Sequence, residues 1–308
     1  GQYIWSGSNT VVAQEPEFDA VRAELGLNGA GQTVAVLDTG IDTSAVGLGG
    51  RVVKRIDFTG GLPGENCTDG GFLDPYGHGT HVSSIIGGAY DGNFDGSEGM
   101  APGVKFVDLR VLNCAGSGYM SMVDDALSWL IDNHEAYGVT VANLSLGTSG
   151  GPQDGHDSTS ILINRLVASG VVVVVAAGNA GDGAATLYSP ATAKHAITVG
   201  AMSTSSVIGQ SLAPFSSQGP TSDGRNGVDV IAPGVGIEAA ASTAKGGGTV
   251  VVAGGRRGIA AFASSSAAST TGTLIRKIHR HDTSVSAPPM INPVTEPIPV
   301  MAAKIAIA

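Results

Sequence analysis

The chain has 308 residues, of which 42% are hydrophobic and 14% charged, and this balance is typical of a globular protein rather than a disordered one. Its formal net charge of −10 disfavours nucleic acid and anionic membranes as partners, because both select basic surfaces. No uninterrupted apolar run reaches the roughly 18 residues that a transmembrane helix needs.

Valine-rich apolar runs alternate along the chain with stretches of helical periodicity. The runs are typical of buried strands and cover residues 34–37, 104–112, 140–144, 171–177 and 196–199. Apolar residues at helical spacing predict helices over residues 121–134 and 158–169. The alternation predicts an α/β fold, in which a mostly parallel central sheet carries helices on both faces in three layers.

The first of these strands runs directly into an aspartate, in the motif Val34-Ala-Val-Leu-Asp38-Thr-Gly40. The carboxyl end of a buried parallel strand is where α/β folds place their functional sites. Taken alone, however, the motif is more typical of an Asx turn that ends a strand.

A histidine flanked by glycines follows, in Tyr76-Gly-His78-Gly-Thr-His81, and an apolar run over residues 82–86 predicts a helix there. His78 at the helix start is a candidate general base. The spacing of His78 and His81 also suits a metal pair, but no third ligand stands nearby, so zinc is disfavoured. We expect His81 to be structural.

Asp91, Asn93 and Asp95 have the spacing that opens a calcium-binding loop, followed by a glycine at residue 96. The closing bidentate glutamate of such a loop is missing. The segment therefore predicts either a calcium site or a glycine-rich surface turn.

The most apolar strand, over residues 171–177, leads into Gly178-Asn179. An amide at the end of such a strand is placed to donate a hydrogen bond to developing oxyanion charge. A glycine-flanked turn is the simpler alternative. A dinucleotide fingerprint is disfavoured by the glycine spacing and by the lack of a later acidic residue at a strand end.

In the order Asp38, His78, Asn179 these motifs resemble the subtilisin-like serine protease (subtilase) family. The resemblance runs from about residue 33 to residue 237 and includes landmarks at residues 215–220 and 231–235. Two further segments resemble the backbone that this family uses to bind an extended peptide as an added strand. They comprise Gly116, Ser117 and Gly118, and Ser145, Leu146 and Gly147.

The resemblance implies a serine endopeptidase that cleaves extended polypeptides through an acyl-enzyme. In it Asp38 orients His78, His78 is the general base and Asn179 donates to the oxyanion. It further implies a secreted monomer whose signal and pro-segments have been removed. The resemblance implies no catalytic cofactor. It implies calcium as a structural ion bound by the loop at Asp91. Gly47, however, stands where some members of the family supply a carboxylate ligand.

The sequence departs from the family where the nucleophile is expected. The family motif Gly-Thr-Ser should follow residues 250–254, but Gly255, Arg256, Arg257 and Gly258 stand there. The formal charge also changes, from −14 over residues 1–255 to +4 over residues 256–308. We therefore expect a peptidase domain over residues 1–255 and an anomalous segment over residues 256–308 that occupies the remainder of the same domain.

The genetic code offers one origin for this departure. The codons GGG-ACG-TCG encode Gly-Thr-Ser, and the same bases read one position later, followed by A, encode Gly-Arg-Arg. Residues 255–257 are that triplet, although residue 258 does not continue the match. The alternative is a catalytically inactive relative that still binds peptides, because glycine and arginine supply no activated hydroxyl.

Gly147-Thr-Ser149-Gly-Gly151 matches the G-x-S-x-G motif of esterases. That motif requires its histidine after the serine, whereas His78 precedes Ser149. An esterase is therefore the weaker alternative.

The two cysteines, Cys67 and Cys114, are either free thiols or one disulfide. In the fold that the resemblance implies, both lie near the substrate cleft. A disulfide between them would indicate an oxidising compartment.

Overall fold

The computed structural model describes residues 24–60, 74–89, 99–181, 183–203, 211–247 and 249–252. Within these ranges, every helix is too short or too polar to cross a membrane.

The described elements alternate between strands and helices as the sequence predicts. In chain order they are β1 (Thr33–Asp38), β2 (Val52–Asp57), α1 (His78–Gly87), β3 (Lys105–Arg110), α2 (Met120–Asn133), β4 (Val139–Leu144), α3 (Ser158–Ala168), β5 (Val172–Ala176), β6 (Ile197–Ser203), β7 (Ser211–Leu212), β8 (Val230–Pro233), β9 (Ile237–Ala240), a 3₁₀ turn (Thr243–Lys245) and β10 (Thr249–Val252).

The central sheet has the strand order β2-β3-β1-β4-β5-β6-β7, and β8 also pairs with β6. All of these pairs are parallel except β6 with β7. A separate antiparallel pair joins β9 and β10. The predicted α/β fold with a mostly parallel sheet is thereby confirmed.

Two hydrophobic cores lie on opposite faces of the sheet. Along β1, Val34 and Val36 belong to the core that contains Val82 and Ile85 of α1, whereas Ala35 and Leu37 belong to the other core. The second core is covered by α2 and α3. Because both faces are covered, β1 is buried at every residue, and for that reason its sequence is a continuous apolar run.

The helices differ in how much of their surface is buried. α2 and α3 are amphipathic, as their periodicity predicts. Asp157 is the N-cap residue of α3, and its side chain accepts a hydrogen bond from the Ser160 N–H at 3.1 Å. All ten residues of α1 are buried, including its polar ones. α1 therefore lies inside the domain and not on its surface.

β2 is a strand that the sequence pattern does not predict. Lys54, Arg55 and Asp57 interrupt its apolar run, and most of its residues are only half-buried. β2 pairs with β3 alone among the described strands, so it forms an edge of the sheet. Charged residues are tolerated there because one side of an edge strand faces away from the core.

Candidate active site

Asp38 is the last residue of β1 and is almost fully buried, with 1% of its surface exposed. Its Oδ1 accepts a hydrogen bond from the Thr39 N–H at 2.7 Å. Its carbonyl oxygen accepts from the N–H groups of Val111 and Leu112, which follow the neighbouring strand β3. The carboxylate is thus fixed at the carboxyl edge of the sheet.

His78 is the first residue of α1 and lies against Asp38. Its Nδ1 is 2.8 Å from Oδ1 and 2.9 Å from Oδ2 of the carboxylate, within hydrogen-bond distance of both. A neutral ring that donates its Nδ1–H to a carboxylate carries its basic lone pair on Nε2. The pair therefore has the geometry of a general base that is oriented by an aspartate.

Two glycines allow this contact. Gly77, directly before the helix, has a φ of 92°, a conformation that side chains disfavour. Gly79 packs against the preceding loop, and a Cβ at this position would lie 2.2 Å from the carbonyl oxygen of Gly40 and 3.1 Å from the Cβ of Asp38. Any side chain at residue 79 would therefore push α1 away from β1.

Another buried carboxylate, that of Asp108, lies beneath this loop. Asp108 on β3 accepts a hydrogen bond from the Ile41 N–H at 3.0 Å, and the Nε of Arg55 is 3.6 Å away. Burial raises the pKa of Asp108 to about 7, although the positive charge of Arg55 opposes this rise. Asp108 therefore titrates near neutral pH in the folded protein.

Asn179 lies just beyond β5, as the sequence predicts, and β5 is separated from β1 by β4. Gly178 before it has a φ of 104°. Ser217 holds this turn, since its N–H donates to the Gly178 carbonyl at 3.0 Å and its Oγ accepts from the Ala180 N–H at 3.0 Å. The amide is thus presented at the same edge of the sheet as Asp38.

The two predicted peptide-binding segments lie on either side of Asp38. Gly116, Ser117 and Gly118 follow β3, whereas Ser145, Leu146 and Gly147 follow β4, and these strands are the two neighbours of β1. Asn113 shapes the first segment, because its Oδ1 accepts from the N–H groups of residues 115 and 117. The second is held at its end by the Thr148 N–H, which donates to the Ser189 carbonyl at 3.0 Å.

Tyr76 links the first segment to the histidine loop. A Cβ on Gly116 would lie 2.5 Å from the Tyr76 ring, so the ring lies directly against this backbone. Glycine at residue 116 therefore permits the contact between the two loops. Ser149 of the esterase alternative lies in an exposed bend beyond the second segment.

Cys114 is disulfide-bonded. The chain has one other cysteine, Cys67, which lies outside the described residues.

Two further predictions fall on residues outside the described ranges. These are the calcium ligands Asp91, Asn93 and Asp95, and the nucleophile position at Gly255, Arg256, Arg257 and Gly258. Within the described ranges, no group of three acidic, histidine or cysteine side chains is arranged to hold a metal ion. The carbonyl of Gly47 accepts hydrogen bonds from the Ala89 N–H and from the Arg51 guanidinium.

Comparison with known proteins places the chain in a family. The model of the Subtilase family matches residues 29–288. The chain belongs to the subtilase family. The resemblance that the motifs predict is thereby confirmed, and the match extends past residue 255.

Curated subtilases share about a third of their aligned residues with the chain. The "Thermophilic serine proteinase" of Bacillus sp. (strain AK1) is 38% identical over 209 residues, which are 68% of this chain and 45% of that protein. "Serine protease AprX" of Bacillus subtilis (strain 168) is 33% identical over 228 residues, 71% of this chain and 50% of that protein. The chain thus spans about half the length of these relatives. "Subtilisin Savinase" of Lederbergia lenta is 36% identical over 70% of this chain and 68% of that protein.

Solved subtilase structures share the fold. "Sphericase" superposes with a TM-score of 0.64 at 26% identity, covering 91% of this chain and 82% of that one. A cold-adapted subtilisin-like serine proteinase gives 0.58 at 29% identity, covering 82% and 77%.

Replacing Gly79 with alanine tests the close approach of α1 to β1. The new Cβ would overlap the Gly40 carbonyl, so we expect Gly79→Ala to destabilise the fold by about 1–3 kcal/mol or more. Urea unfolding followed by circular dichroism measures this. Gly49→Ala is the matched control, because its Cβ would meet one atom, at 3.9 Å. Equal stability of the two variants would contradict the steric argument.

Asp108 gives a pH-dependent prediction. Its pKa is about 7 in the folded state against an ordinary value of 3.8, so the folded protein holds this proton more tightly than the unfolded chain does. This contribution to stability is complete below about pH 4 and is lost as the pH rises through 7. The loss is on the order of 4 kcal/mol.

Asp108→Asn removes the titrating group. We expect the free energy of unfolding of this variant to decline less between about pH 4 and pH 7 than that of the natural chain. Urea unfolding across this range compares the two slopes. Parallel slopes would show that Asp108 does not titrate there.

Proposed function

We propose that this subtilase is a serine endopeptidase that hydrolyses peptide bonds of extended polypeptides. The observation that carries the proposal is the buried contact of the His78 Nδ1 with the Asp38 carboxylate, at 2.8 and 2.9 Å. Its position between the 116–118 and 145–147 segments supports a peptide substrate, since backbone segments of this kind can bind an extended chain as an added strand. Relatives named as serine proteases support the same reaction.

In the proposed reaction His78 acts as the base. Its Nε2 accepts the proton of a serine hydroxyl as the hydroxyl oxygen attacks the carbonyl carbon, and Asp38 stabilises the imidazolium that forms. The Asn179 side chain donates to the oxyanion of the tetrahedral intermediate. Collapse of that intermediate breaks the C–N bond, and the leaving amine takes the proton from His78. Water, deprotonated by His78, then hydrolyses the acyl-enzyme ester.

The nucleophile is the part of the proposal that the sequence does not supply. We propose that a serine occupies the position of Gly255, Arg256, Arg257 and Gly258, and that a one-base shift of reading frame accounts for the written residues. The extension of the family match to residue 288 supports a single domain that includes this segment. Intact mass and peptide mapping of residues 246–308 test the proposal. If the measured masses match the given sequence and the protein turns over no peptide, the inactive peptide-binding alternative is favoured.

We further propose that the protein is secreted. The disulfide at Cys114 supports it, because disulfides persist in oxidising compartments. The proposed partners are protein or peptide substrates, bound by a monomer that needs no catalytic cofactor.

Replacing His78 tests the proposed base. We expect His78→Ala to remove nearly all turnover of casein or a chromogenic peptide, and the activity of the natural chain to rise over about pH 6–8 as the ring loses its proton. His195→Ala is the control, because His195 is exposed just before β6, at the opposite edge of the sheet. A His78→Ala protein with natural activity would refute the assignment.

We propose that Asp91, Asn93 and Asp95 bind a calcium ion that stabilises the folded state. A ligand that binds the folded state alone raises stability, so excess chelator should lower the melting temperature by several degrees relative to added calcium. Asp91→Asn should reduce this difference. A melting temperature that is the same with chelator and with calcium, in protein shown to begin metal-loaded, would count against the site.

A further inference from the structure

Asp74 is a fully buried carboxylate four residues before His78, and the proposed reaction does not use it. Its Oδ1 accepts hydrogen bonds from the Thr39 hydroxyl at 2.8 Å and from the Gly77 N–H at 2.7 Å. Its Oδ2 accepts from the Thr80 N–H at 2.9 Å. Asp74 thus joins the residue after Asp38 to the residues on both sides of His78.

Thr39 carries this connection to the catalytic pair. Its N–H donates to the Asp38 Oδ1 at 2.7 Å, the oxygen that also lies 2.8 Å from the His78 Nδ1. Its hydroxyl accepts from the Gly79 N–H at 2.9 Å while donating to Asp74. Asp74 accepts the hydrogen bond of the Thr39 hydroxyl and thereby fixes the direction of its O–H bond.

The burial of Asp74 is costly and needs a reason. Burial raises the pKa of its carboxyl, while hydrogen bonds from Thr80, Gly77 and Thr39 act against that rise. Ionic groups retained in a protein interior can serve to select one arrangement of their neighbours rather than to add net stability. The neighbours here are the end of β1 and the start of α1, the two elements that supply Asp38 and His78.

We propose that Asp74 is a positioning residue for the Asp38–His78 pair and that it acts through Thr39. The inference rests on the proposed function for its catalytic meaning. Asp74 fixes the Thr39 hydroxyl, Thr39 fixes the Asp38 carboxylate and the Gly79 N–H, and the imidazole is thereby held with its Nδ1 on both carboxylate oxygens.

Two substitutions separate positioning from general stability. In Asp74→Asn the amide nitrogen faces a donor in either orientation. At the Oδ1 position it faces the Gly77 N–H and the Thr39 hydroxyl, and at the Oδ2 position it faces the Thr80 N–H, so at least one hydrogen bond is lost and one repulsion between N–H groups is gained. Thr39→Val keeps the side-chain shape but removes the hydroxyl. Thr39→Ser keeps the hydroxyl and should rescue the natural behaviour.

A matched control is available at the other end of the sheet. Thr198 lies near the start of β6, is buried, and donates its hydroxyl to the Ala191 carbonyl at 3.0 Å. Thr198→Val therefore removes a buried hydroxyl of the same kind far from Asp38.

The experiment measures the far-downfield proton resonance of the His78 Nδ1–H in the full chain, at a pH where the ring is protonated. It reports the Asp38–His78 hydrogen bond without requiring turnover, and His78→Ala assigns it. We expect the resonance in the natural chain, Thr39→Ser and Thr198→Val, and its loss or upfield shift in Asp74→Asn and Thr39→Val. Where the natural chain cleaves peptides, kcat/KM of the last two should fall about ten- to a hundredfold, mainly in kcat.

Several outcomes would overturn the inference. They are an unchanged resonance in Asp74→Asn and Thr39→Val, an equal loss in Thr198→Val, and no resonance in the natural chain. If Asp74→Asn does not fold, the comparison of Thr39→Val with Thr39→Ser decides alone. A natural chain that shows the resonance but cleaves nothing refutes the proposed function and leaves the test of Asp74 intact.

Discussion

Gly79 and the carbonyl of Gly40 approach so closely that no side chain fits between them. This contact sets the distance between α1 and β1, and the other features of the site depend on that distance. His78 stands one residue before Gly79, and Asp38 stands two residues before Gly40. Because backbone atoms make the contact, its geometry does not depend on side-chain rotamers. The contact places the side chains of Asp38 and His78 within hydrogen-bond distance.

The parallel sheet supplies the second part of the arrangement. β1 lies between β3 and β4, so the loops that leave these two strands flank Asp38 on both sides. The cost is a concentration of negative charge, since Asp38, Asp74 and Asp108 are all buried in this region. The Thr39 N–H and the His78 ring stabilise Asp38, and two N–H groups and the Thr39 hydroxyl stabilise Asp74. Asp108 has one N–H and the nearby Arg55. With so few donors to oppose it, burial raises the pKa of Asp108 to about 7.

The sequence predicts those strands and helices whose apolar pattern follows directly from which of their faces are buried. β1 and β5 are continuous apolar runs because both faces are covered, and α2 shows the periodicity of a helix with one buried face. β2 is not predicted, because charged residues are tolerated at a sheet edge and interrupt its apolar pattern. The site divides in the same way. Asp38 and His78 stand in recognisable local motifs, but Asp74 acts on Thr39, 35 residues away, and no local pattern encodes that partnership.

The complete burial of α1 has a consequence for how the protein loses its site. A surface helix can fray into water while the rest of a domain persists, because few contacts hold its outer face. Each of the ten residues of α1 is enclosed, and Val82, Ile85 and Ile86 belong to the same core as β1. Local opening of α1 would expose that core, so helix and sheet form one cooperative unit. Inactivation by heat and global unfolding should therefore be a single event.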